Sequence, residues 1–351
     1  MLQILNRTRM KAALTLGLNQ HGAEMLSVAV KGAFAIPGRG QGARLADDQI
    51  PPLATDVYTG EPGKSSLKYP ADLVLGKPGT DVILIGTARS PGSRPVTRLE
   101  ASVRVGPVSK QISVTGDRCW EEGPLGIGLH MTRPVKFQEM PLVYERAFGG
   151  MDRTHPDEKR HGGDMRNPAG LGFRLNKHAA AGAPLPNLED PGHPMTSWKD
   201  RPPVAGFGPI DGAWEPRLRF AGTYDDNWQK SQAPLLPPDF DPRYFNVAPE
   251  GLVADGYLRG GESVDLVNVS ERGRISFHLP GVGVDLALHL GGTSQLQKAD
   301  LWTIILEPDE HRFCMVWGSS FSIGKHPARA SYVEVNVEGS MKQELAGRDD
   351  A

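Results

Sequence analysis

SVDLVNV (Ser263–Val269), a polar turn at Glu271-Arg272-Gly273 and RISFHL (Arg274–Leu279) decide the fold. Apolar and polar side chains alternate along both runs, the period of a strand with one face buried. Two such runs joined by a glycine-containing turn make an antiparallel hairpin. The same signature recurs outward along the chain. Met25–Ile36 (MLSVAVKGAFAI), Asp81–Ala88 (DVILIGTA), Leu99–Val105 and Lys110–Val114 precede it, the last two as a hairpin with a longer Gly-Pro loop. Val284–Leu290, Trp302–Leu306, Arg312–Trp317 and Tyr332–Val337 follow, with Glu307-Pro308-Asp309-Glu310 as a polar turn. Helical periodicity is nearly absent outside a short tail after Gly339. The expectation is a mainly β chain: antiparallel β-sandwich-like layers carrying long ordered loops rich in proline, glycine and aromatics.

A chain of 351 residues is long enough for two ordinary domains or one large sandwich. Its 39 basic and 41 acidic side chains leave a formal charge of −2, so no strong field draws nucleic acid or an anionic membrane. No run is long enough to span a bilayer. The N-terminal MLQILNRTRMKAALTLGLNQHG has only a short apolar patch, broken by Lys11, and lacks a small-residue cleavage site. Cys119 and Cys314 stand far apart beside strand-like residues and read as buried free thiols in a reducing, cytoplasmic compartment.

The 42 glycines and 30 prolines make about a fifth of the chain, against roughly 12% in average usage. They crowd from about Pro134 to Pro249, where periodicity is lost. A structureless linker would be poor in large aromatics. This segment instead holds Trp198, Trp214, Tyr224, Trp228, Tyr244 and Phe245, which predicts order. Three parts are expected: a β-rich 1–133, a loop-rich insert over 134–249 packed on the sheets, and a β-rich 250–351. Together they can form one continuous domain.

Catalytic templates are missing. The chain has no HExxH, no GxSxG, no Walker-type loop and no dinucleotide-binding βαβ unit. Gly38, Gly40 and Gly42 spell GxGxG without that context and read as a hairpin loop. His155 and His161 bracket Asp157 and Glu158, with Asp164 close behind, and two imidazoles plus a carboxylate are donors that zinc accepts. The plainer reading of HPDEKRH is a solvated charged loop tip, since structural zinc sites in loops usually recruit cysteine. Asp225-Asp226 before Trp228, and Asp239 and Asp241 near Tyr244, set acids among aromatics as in sugar-cleaving clefts. Aspartates also cap turns by accepting from their own backbone, and that is the plainer reading. No catalytic residue, metal or cofactor is therefore assigned, and the chain reads as non-enzymatic.

The densest run of specific residues is Met140–Phe173, MPLVYERAFGGMDRTHPDEKRHGGDMRNPAGLGF. Gly149 and Gly150 permit backbone angles that other residues avoid, and Asn167-Pro168 favours a turn. Tyr144 and Phe148 read as core anchors, with Arg146 pairing to the neighbours of Glu145 or to Asp152. The same residues equally suit a rigid docking ridge, because Arg, Tyr, Trp and Met are enriched at the energetic centres of interfaces. Trp214, Arg217 and Arg243 carry the same two readings. Candidate partner-binding residues are thus Tyr144 to Arg146, Phe148 to Gly150, Asp152, Asn167 and Pro168, together with Trp214, Arg217, Tyr224, Asp225, Trp228, Asp239, Asp241 and Arg243. Exposed sheet edges would suit an adaptor, because an extended client segment can add a strand.

Several fragments in order carry a resemblance. They are DVYTGEPGKSSLKYPADLVLGKPGTDVILIGTA, VTGDRCW, MPLVYERAFGGMD, NPAGLGF, LPNLEDP, GFGPIDGAWEPR, and GTYDDNW followed by LPPDFDPRYFNVAPE. From about residue 20 to about 310 the chain resembles the bacterial family called domain of unknown function 2169. The resemblance implies an adaptor or chaperone of type VI secretion that loads a toxic effector onto the spike of the apparatus. It implies two protein partners, effector and spike protein, with no reaction and no cofactor. A carbohydrate-active enzyme or a sugar-binding β-sandwich module is the alternative.

Overall fold

In the computed structural model, residues 2–124, 127–324, 330–339 and 341–346 are described. The chain is mainly β, in several largely antiparallel sheets. The central sheet has six strands. Lys11–Leu18, Glu24–Ala35, Arg312–Ser322, Asp300–Glu307 and Asp81–Leu84 follow one another across it, and Arg44–Leu45 pairs with the end of Glu24–Ala35. Its ladders are antiparallel except the last, where Asp300–Glu307 runs parallel to Asp81–Leu84. Glu24–Ala35 is buried on both faces, which explains its nearly continuous apolar run.

Two further sheets cover one face of the central one. A five-stranded antiparallel sheet runs Leu188–Glu189, Val108–Thr115, Arg98–Val105, Ser263–Val267, Arg274–His278. Burial alternates along Arg98–Val105 and along the Ser263–Val267/Arg274–His278 hairpin, so each turns one row of side chains inward. Phe277 of that hairpin packs on Phe313 at 5.1 Å between ring centroids, and Phe313 stacks on Phe34 at 5.3 Å. The other sheet runs Gln3–Asn6, Ala330–Gly339, Val282–Leu290, Thr293–Lys298, with Gln3–Asn6 parallel to its neighbour. Gln297 of that sheet accepts from Ser319 of the central sheet. The opposite face is covered by the segment from Ala46 to Leu75, which contributes the buried Lys31–Asp72 ion pair at 3.0 Å and a Ser27 bond to the Val74 carbonyl. One continuous buried apolar cluster draws on residues from Met10 to Leu345.

The alternating runs lie where the sequence places them, with three differences. Asp81–Ala88 divides at Ile85-Gly86, because Thr87–Arg89 leaves the central sheet to pair with Glu139–Pro141. Val105 pairs directly with Val108, so the first hairpin turns tightly at Gly106-Pro107 rather than through a longer loop. The N-terminal strands Gln3–Asn6 and Lys11–Leu18 escaped the sequence reading, as did Thr293–Lys298. The tail after Gly339 forms the short helix Lys342–Leu345. Residues 36–43, with the three glycines, join Glu24–Ala35 to Arg44–Leu45 as a hairpin loop.

The stretch 134–249 is ordered, and a buried polar network ties it to the sheet. Asp81 is fully buried and accepts from Lys77 Nζ at 2.7 Å, Asn246 Nδ2 at 3.0 Å, Val247 N at 3.0 Å and Ala248 N at 3.2 Å. Lys77 also donates to Thr303 Oγ1 at 2.9 Å. Loop backbone also seals the rim of the central sheet, because Val82 N donates to Leu252 O and Leu84 N to Phe207 O. A sheet edge that would otherwise expose its ladder is thereby closed. No helix among the described residues is long and apolar enough to cross a membrane.

Candidate functional site

The glycine-rich run folds into a small ribbon. Phe148–Asp152 pairs antiparallel with Gly162–Asp164 and parallel with Leu171–Gly172. Gly149 (φ 148°) and Gly150 (φ 91°) lie where a Cβ would strike the carbonyl oxygens of Asn167 and Gly170, so both positions need glycine on two grounds. Asn167 is fully buried; its Nδ2 donates to Tyr144 O at 2.8 Å and Phe148 O at 3.1 Å. Its Oδ1 has no partner among the described residues. Gly170 N donates to Asn167 O across the Pro168 turn. Phe148 heads a second apolar cluster with Trp120, Phe173, Leu185 and Met195, under the guanidinium of Arg166.

Tyr144 is buried, donates its hydroxyl to Gly208 O at 2.9 Å and meets Trp214 edge-on at 5.8 Å. Burial pushes its phenol above the ordinary tyrosine range. Glu145 turns outward and accepts from Ser66 N at 2.7 Å, Ser66 Oγ and Thr59 Oγ1. Arg146 departs from expectation: it reaches neither Asp152 nor the neighbours of Glu145. Its Nη1 donates to Asn187 Oδ1 at 3.0 Å and lies 3.5 Å from Asp117. Asn187 in turn donates to Thr115 O and Asp117. The guanidinium therefore braces the ribbon to the end of the strand Val108–Thr115. Asp152 serves the fold too. Burial opposes its charge, yet donation from Thr154 Oγ1, Thr154 N and Leu175 N, with Arg174 nearby, holds the carboxyl below its usual range.

The second group of candidates gathers around a pocket of about 330 Å³, lined chiefly by Leu218, Tyr224, Leu236, Phe240, Tyr244 and Phe245. Its lining residue Tyr244 is held by Arg217, whose Nη1 donates to Ile210 O at 2.6 Å, while Nε and Nη2 donate to Tyr244 O at 3.1 and 3.0 Å. That side chain stitches two segments far apart in sequence and lies over the Tyr244 ring. Tyr224 is 54% exposed on the rim and meets Trp228 edge-on at 4.7 Å.

The acids beside this pocket are held in structural hydrogen bonds, Asp225 and Asp241 to local backbone and Asp239 to a distant segment. Asp225 caps the helix Asp226–Ser231 by accepting from Trp228 N at 2.8 Å. Asp239 accepts from Thr223 N and Oγ1, and both bonds hold its carboxyl below the usual range. Asp241 accepts from Arg243 Nε and N, which lowers it likewise, while Arg243 lies over the Phe220 ring at 4.4 Å. Neither Asp239 nor Asp241 is raised toward the protonated form that a general acid at neutral pH requires.

The histidine loop is held by its own backbone. His155 Nδ1 accepts from Asp157 N at 3.0 Å, and His161 Nε2 donates to His155 O at 2.8 Å. Among the described residues, no group of three or more His, Cys, Asp or Glu is arranged to hold a metal ion. Cys314 is buried and its thiol is pushed up to about 12, whereas Cys119 is only half-buried, not buried as expected.

Trp214 is the physical link between the two groups, buried in the main core and in T-shaped contact with Tyr144. Sequence reading missed Asp117, Asn187 and Ser66, which hold Arg146 and Glu145, and missed Asp81 and Lys77. Asp81 reads from sequence only as the start of a strand, and Lys77 only as part of the fragment that carries the resemblance. No curated protein and no solved structure matches the chain. A family model described as "Uncharacterized protein conserved in bacteria (DUF2169)" matches residues 21–318, and the chain belongs to that family.

Proposed function

We propose that the protein is a non-enzymatic adaptor, or chaperone, that binds a type VI secretion effector in the bacterial cytoplasm and helps load it onto the secretion spike. The observation that carries the reading is the aromatic pocket. It is open, apolar, held in shape by Arg217, and flanked by an exposed tyrosine. A preorganised apolar pocket takes an anchoring side chain of a protein partner at little entropic cost, and such anchors dominate interface energetics. Family membership and the resemblance noted from the sequence supply the secretion context. The nearby aspartates are engaged in hydrogen bonds that hold the fold, which leaves binding as the pocket's best use. The test is co-expression of the tagged chain with the effector and spike proteins encoded beside it. Stoichiometric recovery of the effector, with less soluble effector when the chain is omitted, supports the reading. A folded chain that recovers neither protein overturns it. The sugar-binding alternative retains one observation, the exposed Tyr224 ring beside Trp228. Glycan-dependent thermal stabilisation would mark it.

A further inference from the structure

The strand Lys11–Leu18 (KAALTLGL) lies at the rim of the central sheet and pairs only with Glu24–Ala35. The Asn19 N to Ala23 O bond sets the phase of that ladder: odd residues bond inward, and the N–H and C=O of Ala12, Leu14, Leu16 and Leu18 point away from the sheet. Among the described residues nothing pairs with them. Their side chains share the face of Leu26, Val28 and Val30, which are fully buried, yet Leu16 is 57% and Leu18 44% exposed. The core face thus runs past its cover at this rim. The usual guards are missing, since the strand has no proline and its only charge is Lys11. The opposite rim, Asp81–Leu84, is sealed by loop backbone.

We infer that this rim receives an extended segment of the protein partner, added as a further strand with aliphatic side chains at alternate positions over Leu14, Leu16 and Leu18. The inference rests on the adaptor reading and names the docking surface. Eight residues span about 26 Å, enough for one strand. A second copy docking through that strand alone would offer eight residues a side, against the roughly 20–30 of a stable interface. An added peptide strand instead draws affinity from main-chain bonds, with side-chain pockets for selectivity. The rim also joins the aromatic pocket. Gln232 Nε2 donates to Gln20 O at 2.9 Å, Leu235 packs beside Gly22, and the adjoining Leu236 lines the pocket. One segment can therefore pair along the strand and place an anchor in the pocket.

The test is hydrogen–deuterium exchange of the full chain, alone and with the effector encoded beside it. Exchange at Ala12, Leu14, Leu16 and Leu18 is expected to slow at least tenfold in the complex. Leu16→Pro removes an outward donor without touching the inward ladder. Leu16→Lys keeps the ladder and charges the apolar face. Each is expected to weaken effector binding at least tenfold at unchanged melting temperature. A complex without added protection at these amides overturns the docking surface and leaves the adaptor reading standing. Concentration-dependent protection in the chain alone assigns the rim to a second copy and also overturns it. Failure to form any complex removes the adaptor reading and this inference with it.

Discussion

Asp81→Asn is the sharpest test of how the loop-rich segment is held. The substitution keeps the shape of the side chain but removes the charge facing Lys77 Nζ at 2.7 Å, in a pair where both side chains are almost wholly buried. An uncompensated buried cation costs about 3–5 kcal/mol. The asparagine oxygen still accepts from Val247 N or Ala248 N, which favours the lower end, about 3 kcal/mol. Unfolding entropy of about 2.1 cal/mol/K per residue gives roughly 0.7 kcal/mol/K over 351 residues. The melting temperature should therefore fall by about 4 °C in scanning calorimetry. Lys77→Met combined with Asp81→Asn removes both charges and should recover part of the loss, because the pair is coupled. A melting temperature within about 1 °C of wild type for Asp81→Asn, or a double variant no better than the single, would refute the reasoning.

Four further outcomes are expected. Asn167→Ala leaves the Phe148 carbonyl unpaired and takes one of two donors from the Tyr144 carbonyl, which keeps Ala147 N, partly offset by loss of the partnerless Oδ1, for a net of about 1–3 kcal/mol read as a melting shift of about 1–4 °C; no shift would contradict the bracing role. Arg146→Ala breaks a bond to Asn187 that is partly exposed, so stability should fall by no more than about 1 kcal/mol; lost affinity at unchanged stability would instead make Arg146 an interface residue. Asp152, Asp239 and Asp241 titrate below their unfolded values, so their contribution is present above about pH 4 and is lost as pH falls through their folded values. Melting temperature should accordingly fall as pH drops below about 4, and a flat profile there would contradict this. Finally, a thiol reagent at pH 8 should modify no more than one cysteine per native chain, Cys119 before the deeply buried Cys314, and two fast-reacting thiols would count against the packing.

The strands were legible where one face is buried, because alternation in Ser263–Val267 and Arg274–His278 writes burial directly into residue order. Glu24–Ala35 was legible for the opposite reason, a run buried on both faces. Lys11–Leu18 was not. Its rim position exposes leucines on the core face, so it lacks a clean in-and-out pattern. Turn chemistry could also be read locally, as Asp225 and Asp241 show, each accepting from a backbone N–H just after it, whereas Asp239 instead accepts from Thr223, well before it in the chain. Order in the segment 134–249 followed from its aromatics, but its cause did not. Asp81 meets Val247 166 residues away, and Arg146 meets Asp117 and Asn187, pairings that no spacing rule encodes. The pocket was hidden for the same reason, since its lining residues converge only once Arg217 joins the Ile210 and Tyr244 carbonyls.

The central claim is that the aromatic pocket binds a protein partner. Ala221→Trp fills the pocket without touching the Arg217 bonds that shape it, so fold and function separate cleanly. The most direct measurement is calorimetric titration of the purified effector into wild-type chain and into Ala221→Trp, with melting temperature recorded for both. The account predicts saturable binding by wild type and at least tenfold weaker binding by the equally stable variant. Equal affinity for the two would contradict it.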